Sequence, residues 1–140
     1  MTQATGYAIN TLGYVAASNG HPVLIKEIAE ATRLPHPYLA KIIHTLARRG
    51  VVVTRRGVGG GVSLARPAEA ITLYDIADAL DDPVLEERCM LGSAECSDER
   101  ACPAHDFWRE HRAAQIDFLR QRSLADVAAF ERRQLERGTA

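Results

Sequence analysis

Residues 36–65 read HPYLAKIIHTLARRGVVVTRRGVGGGVSLA. The first half carries apolar residues at Leu39, Ile42, Ile43 and Leu46, the i, i+3, i+4, i+7 stripe of an amphipathic helix. Pro35 and Pro37 fit only at or just before its first turn, and Gly50 closes it. Val51 to Thr54 is then a β-branched run, Arg55 to Gly61 a basic glycine-rich turn, and Val62 to Ala65 an alternating return strand. A helix running straight into a glycine-tipped β-hairpin is the unit around which the rest of the chain arranges itself.

Upstream, Ile25, Ile28, Ala29 and Thr32 share one face of a short helix, separated from the first by a tight break at Arg33-Leu34. Two short helices so joined form a helix-turn-helix, and the hairpin is its wing. Before it, Ala8, Leu12 and Val15 mark a helix from about Ala4 to Ala17, ended by Asn19-Gly20 and His21-Pro22. Downstream, Thr72 with Asp75 three residues on has capping-box spacing and opens a helix with Leu73, Ile76, Ala77 and Leu80 on its face. From Asp81 to Ala101 the periodicity stops, a stretch long enough to be functional or tied down. It contains Cys89 and Cys96, with Cys102 at its end. A helix from about Pro103 to Arg120 carries Phe107, Trp108, Ala114 and Phe118, and Ser123 with Asp126 caps a last, short, charged helix. The expected architecture is mainly α with a small β-hairpin. A winged helix-turn-helix domain spans residues 1–80, a cysteine-containing loop 81–102, and a dimerisation helix with a C-terminal helix 103–140.

The chain has 140 residues, 46% hydrophobic and 25% charged, the size of one domain or one domain with an appendage. It has no long apolar run, so no membrane partner is expected. Met1 to Tyr7 lacks a basic or apolar leader, which points to the cytoplasm. In a reducing compartment an odd count of three cysteines reads as metal ligands or reactive thiols rather than a disulfide framework. The net charge of −1 hides a division: residues 1–80 hold eight basic and five acidic residues, and the remainder holds nine and thirteen. From Arg33 to Ala68 there are seven basic residues and no acidic one, the footprint of a polyanion.

Double-stranded DNA is the polyanion that a winged helix-turn-helix presents itself to. Opposite the buried stripe of the second helix lie Pro37, Ala40, Lys41, His44 and Arg48. His36, Pro37, Ala40 and Lys41, with Tyr38, occupy the end of a recognition helix that meets base edges, while His44 and Arg48 fall nearer the phosphates. Arg55 and Arg56 on the wing are placed to enter a narrow minor groove, and Gly57, Gly59 and Gly60 let the backbone approach closely. Helix-turn-helix proteins commonly read two half-sites as symmetric dimers, which assigns the aromatic 103–120 helix to a homodimer interface. No acid–base pair, nucleophile elbow or phosphate loop appears in the first half. Gly57 to Gly61 lies between two strands, where a phosphate site would need a following helix. An enzyme is not expected.

Pro37-Tyr38-Leu39-Ala40-Lys41-Ile42, Leu46-Ala47-Arg48-Arg49-Gly50-Val51-Val52 and the run Arg56 to Pro67 together resemble the IscR–NsrR family of winged-helix regulators, over nearly the whole chain from about Gly6 to Val127. The resemblance implies a homodimeric transcriptional regulator whose Cys89, Cys96 and Cys102 ligate an iron–sulfur cluster that senses redox state, nitric oxide or cluster and iron supply. Thiolates are soft ligands suited to that role. Six residues separate the first two cysteines and five the second pair, the first gap being one residue longer than in many members of that family. His105, one turn beyond Cys102, matches the fourth ligand of the 2Fe–2S branch. Gly6 stands where the 4Fe–4S branch has a ligating aspartate from the partner subunit, and it has no side chain to offer. A 2Fe–2S cluster is therefore favoured and a 4Fe–4S cluster is the alternative. His111, Asp98, Glu95 or an external group are other candidates for the fourth position. Two cluster-free readings stand beside it: a thiol or persulfide switch and a structural Cys₃His zinc site.

Overall fold

The computed structural model describes residues 1–91, 97–100 and 102–138. Helix α1 (Gln3–Ala17) starts at Thr2, whose hydroxyl accepts from the Thr5 N–H. It buries Ala8, Leu12 and Val15 as their spacing predicts. Helix α2 (Ile25–Thr32) stops at Arg33, held in the left-handed region at φ 59°. Helix α3 (His36–Arg48) follows with Pro37 in its first turn and buries Leu39, Ile42, Ile43 and Leu46. Their apolar faces meet with Ile71, Ile76 and Leu124 in one core. Each fully buried Leu or Ile there contributes about 1.5–3 kcal/mol.

The wing is an antiparallel pair, β1 (Val52–Arg55) and β2 (Gly61–Leu64), in the register Val52–Leu64 to Arg55–Gly61. Both strands are displaced by one residue from the sequence expectation. Val51 is drawn into ending α3, its N–H donating to the Leu46 carbonyl at 2.9 Å. A third segment staples the hairpin to the helix-turn-helix: Val23 and Val62 exchange both backbone hydrogen bonds, at 2.9 and 2.7 Å.

Helix α4 (Leu73–Ala79) opens with the full capping box: Asp75 N–H to Thr72 Oγ1 at 3.1 Å, and Thr72 N–H to Asp75 Oδ2 at 3.0 Å. Helix α5 (His105–Gln121) begins two residues later than expected, because the Cys102–Ala104 turn closes through the His105 N–H onto the Cys102 carbonyl. The last helix, α6 (Leu124–Gly138), corrects the expectation of a short appendage. It has 15 residues and packs along α1, burying Leu124 and Ala128. Gly13 permits this approach, since a Cβ there would stand 2.4 Å from Val127 Cγ1. Leu73 N–H to Arg122 O and Leu124 N–H to Ile71 O, at 3.0 and 2.9 Å, fasten the start of α6 beside α4. Residues 124–138 thus share the core of the first 80, whereas α5 buries just His105 and Leu119 of its 17 residues.

Where α4 ends, the chain is anchored to two DNA-domain helices. Arg49, at the end of α3, donates to the Asp78 carbonyl at 3.1 Å and to Asp81 Oδ1 at 3.3 Å. Buried Asp82 accepts from Thr2 N–H at 2.9 Å, Thr2 Oγ1 at 3.1 Å and Val84 N–H at 2.8 Å. Burial pushes its carboxyl up, but the hydrogen bonds from Thr5, Val84 and Thr2 outweigh this and hold it below the usual carboxylate range. Stability from a depressed carboxylate is complete above the unfolded value of about 3.9 and is lost as pH falls through the lower folded value. Asp82→Asn is therefore expected to cost about 1–3 kcal/mol at neutral pH. Thermal melts should show the gap between variant and parent closing below about pH 4; a constant gap would exclude the carboxylate as its source.

Candidate functional site

On the face of α3 opposite the core, His36, Pro37, Lys41, His44 and Arg48 are exposed and Ala40 is half-buried. Between this face and the wing lies an open groove of about 570 Å³. His36, Ala40 and His44 line one side, Arg55, Arg56 and Gly57 the other. Pro37, Tyr38, Lys41 and Arg48 lie outside the lining. Tyr38 leans edge-on against Tyr7 of α1, ring centroids 5.9 Å apart, so part of its surface is occupied in holding α1 to α3. Lys26 in the first turn of α2 and Thr54 of β1 also line the groove. Both were missed from the sequence, although a lysine opening the first helix of a helix-turn-helix was a signal available for Lys26. No acidic residue is among the described lining residues, so the groove carries one sign of charge.

The wing glycines are required by the turn itself. Gly57 and Gly59 adopt φ of 91° and 77°, and a Cβ on Gly60 would stand 2.4 Å from the Arg55 carbonyl oxygen. A side chain at these places would displace Arg55 and Arg56 before it touched any ligand. Val58 at the tip is wholly exposed.

The second cluster lies between the cysteine segment and α5. Arg112 donates to the Glu86 and Leu85 carbonyls at 2.9 and 2.8 Å, and Trp108 Nε1 donates to the Arg88 carbonyl at 2.7 Å. These bonds lay residues 85–88 against α5 and bring Cys89 Sγ to 3.5 Å from Cys102 Sγ, both cysteines half-buried. Trp108, read from sequence as apolar area for packing on a partner and on the first domain, is turned toward residues 85–88 of its own chain, while Phe107 and Phe118 stay 63% and 52% exposed. His105 is buried, with Nε2 3.1 Å from Asp98 Oδ1, and Arg109 pairs with the same oxygen. The hydrogen bond from His105, then the Arg109 charge, holds the Asp98 carboxyl below the usual range. His111 stacks on Phe107 and Trp108 at 5.7 Å.

Cys96 and Glu95 lie outside the described residues. Among the described residues, no three His, Cys, Asp or Glu side chains converge into a metal site. The donor chemistry at Cys89 and Cys102 nevertheless fits a thiolate-bound group. Two thiolates on one tetrahedral metal with bonds of about 2.3 Å stand about 3.8 Å apart, close to the 3.5 Å between these sulfurs. Among the described residues, no helix is long and apolar enough to cross a membrane.

Residues 1–129 match the family model Rrf2, described as an iron-dependent transcriptional regulator. The chain is 30% identical over 128 residues to the HTH-type transcriptional regulator IscR of Erwinia tasmaniensis, covering 91% of this chain and 77% of that protein. Among solved structures, it is similar to CymR, the global cysteine regulator of B. subtilis. The TM-score is 0.78 with 25% identity over 93% of this chain and 96% of that one. It is also similar to T. potens IscR, with a TM-score of 0.71 and 27% identity over 94% and 87% of the two chains. The helices, the wing and these likenesses agree: the chain belongs to the Rrf2 family and is a DNA-binding transcriptional regulator rather than an enzyme.

Proposed function

We propose that this regulator works as a homodimer whose affinity for its operator is controlled by an iron–sulfur cluster held by Cys89, Cys96 and Cys102, with His105 as fourth ligand. The observation that carries the reading is the 3.5 Å approach of Cys89 and Cys102 on a segment pinned to α5, with buried His105 one turn further on. When bound, the cluster supplies a centre that reacts with oxidants or nitric oxide. The chain's residues do the rest. Trp108 and Arg112 hold the first cysteine in place. Gathering of the three cysteines tightens residues 81–102, whose root grips Arg49 at the end of α3 and Thr2 at the start of α1. A change there biases the orientation of α3, and the difference in DNA affinity between the two states is the regulation.

In this reading α3 enters the major groove with His36, Pro37, Tyr38, Ala40 and Lys41 toward the bases and His44 and Arg48 toward the backbone. Arg55 and Arg56 reach the adjacent minor groove. The exposed Phe107 and Phe118 of α5 face the second copy, which sets half-site spacing. A 2Fe–2S cluster suits the Cys₃His set, since Gly6 brings no side chain. A specific observation also supports a cluster-free alternative: the same sulfurs are close enough to serve a thiol switch, and CymR, named for cysteine regulation, shares the fold.

The deciding experiment is anaerobic purification with iron, sulfide and visible absorbance measured, followed by operator titration of loaded and stripped protein. Coloured protein with stoichiometric iron and state-dependent affinity is expected. Colourless protein that resists enzymatic cluster assembly overturns the cluster and moves sensing to the thiols. Within the DNA interface, Arg56→Ala is expected to weaken operator binding about tenfold and to lower the log-salt slope by about one unit. Unchanged affinity and slope would remove Arg56 from the interface.

A further inference from the structure

Tyr38 stands in the first turn of α3, where the backbone has little freedom left. Pro37 before it has a restricted φ, and Leu39 after it is fully buried, its N–H donating to the Pro35 carbonyl at 3.0 Å. What is still to be placed is the ring, through two torsions, and it is 37% exposed. Tyr7 of α1 places it. The ring planes stand 88° apart with centroids at 5.9 Å, the arrangement that sets the positive rim of one ring on the negative face of the other. Tyr7 is held in turn, its hydroxyl accepting from Gln3 Nε2, one turn back on α1, at 2.7 Å. Gln3 follows Thr2, whose N–H and hydroxyl donate to Asp82 at 2.9 and 3.1 Å. The start of α1 is thus anchored to the root of the cysteine segment on one side and supports Tyr38 on the other. Tyr7 lies outside the lining of the groove between α3 and the wing, and borders instead a cavity of about 360 Å³ with Tyr14, Leu34 and Phe130.

We propose that Tyr7 is a positioning residue for DNA recognition: it sets the direction of the Tyr38 ring, and through it the sequence discrimination of α3, without touching DNA itself. This rests on the reading above of Tyr38 as a residue turned toward the bases. A contact to a base edge depends on the direction of the group that makes it, whereas phosphate contacts hold the protein on any sequence. A Tyr38 ring freed from Tyr7 therefore costs discrimination rather than overall affinity.

The test uses the full chain and two duplexes of equal length, one selected by the parent protein from a random-sequence pool and one of scrambled sequence. Tyr7→Leu, which removes the ring and keeps an apolar side chain, should lower the ratio of selected to scrambled affinity about three- to tenfold. Affinity for the scrambled duplex and the log-salt slope should stay at the parent's values, because no phosphate contact is touched. Tyr7→Phe keeps the ring against Tyr38 and should hold the ratio within about twofold. Tyr38→Ala should lower the ratio, and adding Tyr7→Leu to it should cost nothing more, since the residue being positioned is gone. A Tyr7→Leu protein with the parent's ratio, while Tyr38→Ala has lost it, overturns the proposal. Equal weakening on both duplexes does so too, being the mark of a packing role alone. If Tyr38→Ala keeps the parent's ratio, the reading beneath fails instead, for Tyr38 then reads no base. Should the leucine variant unfold, Tyr7→Met carries the same comparison. Tyrosine-labelled parent protein must also show cross-relaxation between the two rings, and its absence overturns the assignment.

Discussion

Cys102→Ser will yield a folded chain that still binds DNA but carries no stoichiometric iron and no longer changes its affinity with redox state. Cys102 is half-buried just ahead of α5 and is absent from the apolar cluster formed by α1, α3, α4 and α6. Exchange of sulfur for oxygen there removes a soft ligand while leaving the winged domain's packing alone. The stability change should stay within about 1 kcal/mol. The loss at the cysteine site should be close to complete, because a hydroxyl is a poor ligand for a thiolate-bound cluster. Iron analysis, visible absorbance and paired operator titrations of oxidised and reduced protein read all three parts of the expectation. A Cys102→Ser protein that keeps its colour and its iron would sink the assignment of Cys102 as a ligand. One that loses colour but still responds to oxidation would transfer the response to the remaining thiols.

Much of the DNA-binding half was legible because its signals are local. The stripe Leu39, Ile42, Ile43, Leu46 fixes which face of α3 is buried and hence which is offered. Thr72 and Asp75 are three residues apart, and capping chemistry acts over that distance. What escaped is non-local. Nothing in the charged, alanine-rich run 124–138 announces that it lies along α1. That contact depends on Gly13, 114 residues before Val127, lacking a side chain. Trp108 was legible as apolar area but not as the donor that holds Arg88, since the partner is a backbone carbonyl and any residue type supplies one. The one-residue shift of the wing has a similar origin: Val51 has strand propensity, but the end of α3 claims its N–H. The cysteine segment could be recognised from composition, while the approach of Cys89 to Cys102 is made by α5 side chains from a different part of the chain.

Gly61→Ala should disable DNA binding more thoroughly than the loss of any single wing arginine. Gly61 opens β2 opposite Arg55 at φ 138°, a conformation that L side chains rarely adopt. A Cβ there would also stand 2.8 Å from the Val23 carbonyl carbon and oxygen, which are backbone atoms with no rotamer to turn away. Next to this contact, Val23 and Val62 exchange the two hydrogen bonds that staple the wing to the segment before α2. The substitution therefore brings backbone strain of about 1–3 kcal/mol and breaks bonds worth about 1 kcal/mol each. The chain is expected to lose about 3 kcal/mol of stability, or to relieve the strain by letting the wing swing free. Where the wing swings free, Arg55 and Arg56 leave the groove together, and the log-salt slope of operator binding should fall by about two units. Thermal melts and salt-dependent titration separate the two paths: a low Tm means that the staple held and the strain stayed, while a normal Tm with a reduced slope means that the wing detached. Gly6→Ala is the matching control. It lies within α1 with open space around its Cα, so an added methyl should stabilise by about 0.5–1 kcal/mol and leave binding alone. If Gly61→Ala keeps both its melting temperature and its salt slope, the close approach of the wing to Val23 does not position the arginines, and Arg56 must be held by the turn glycines alone.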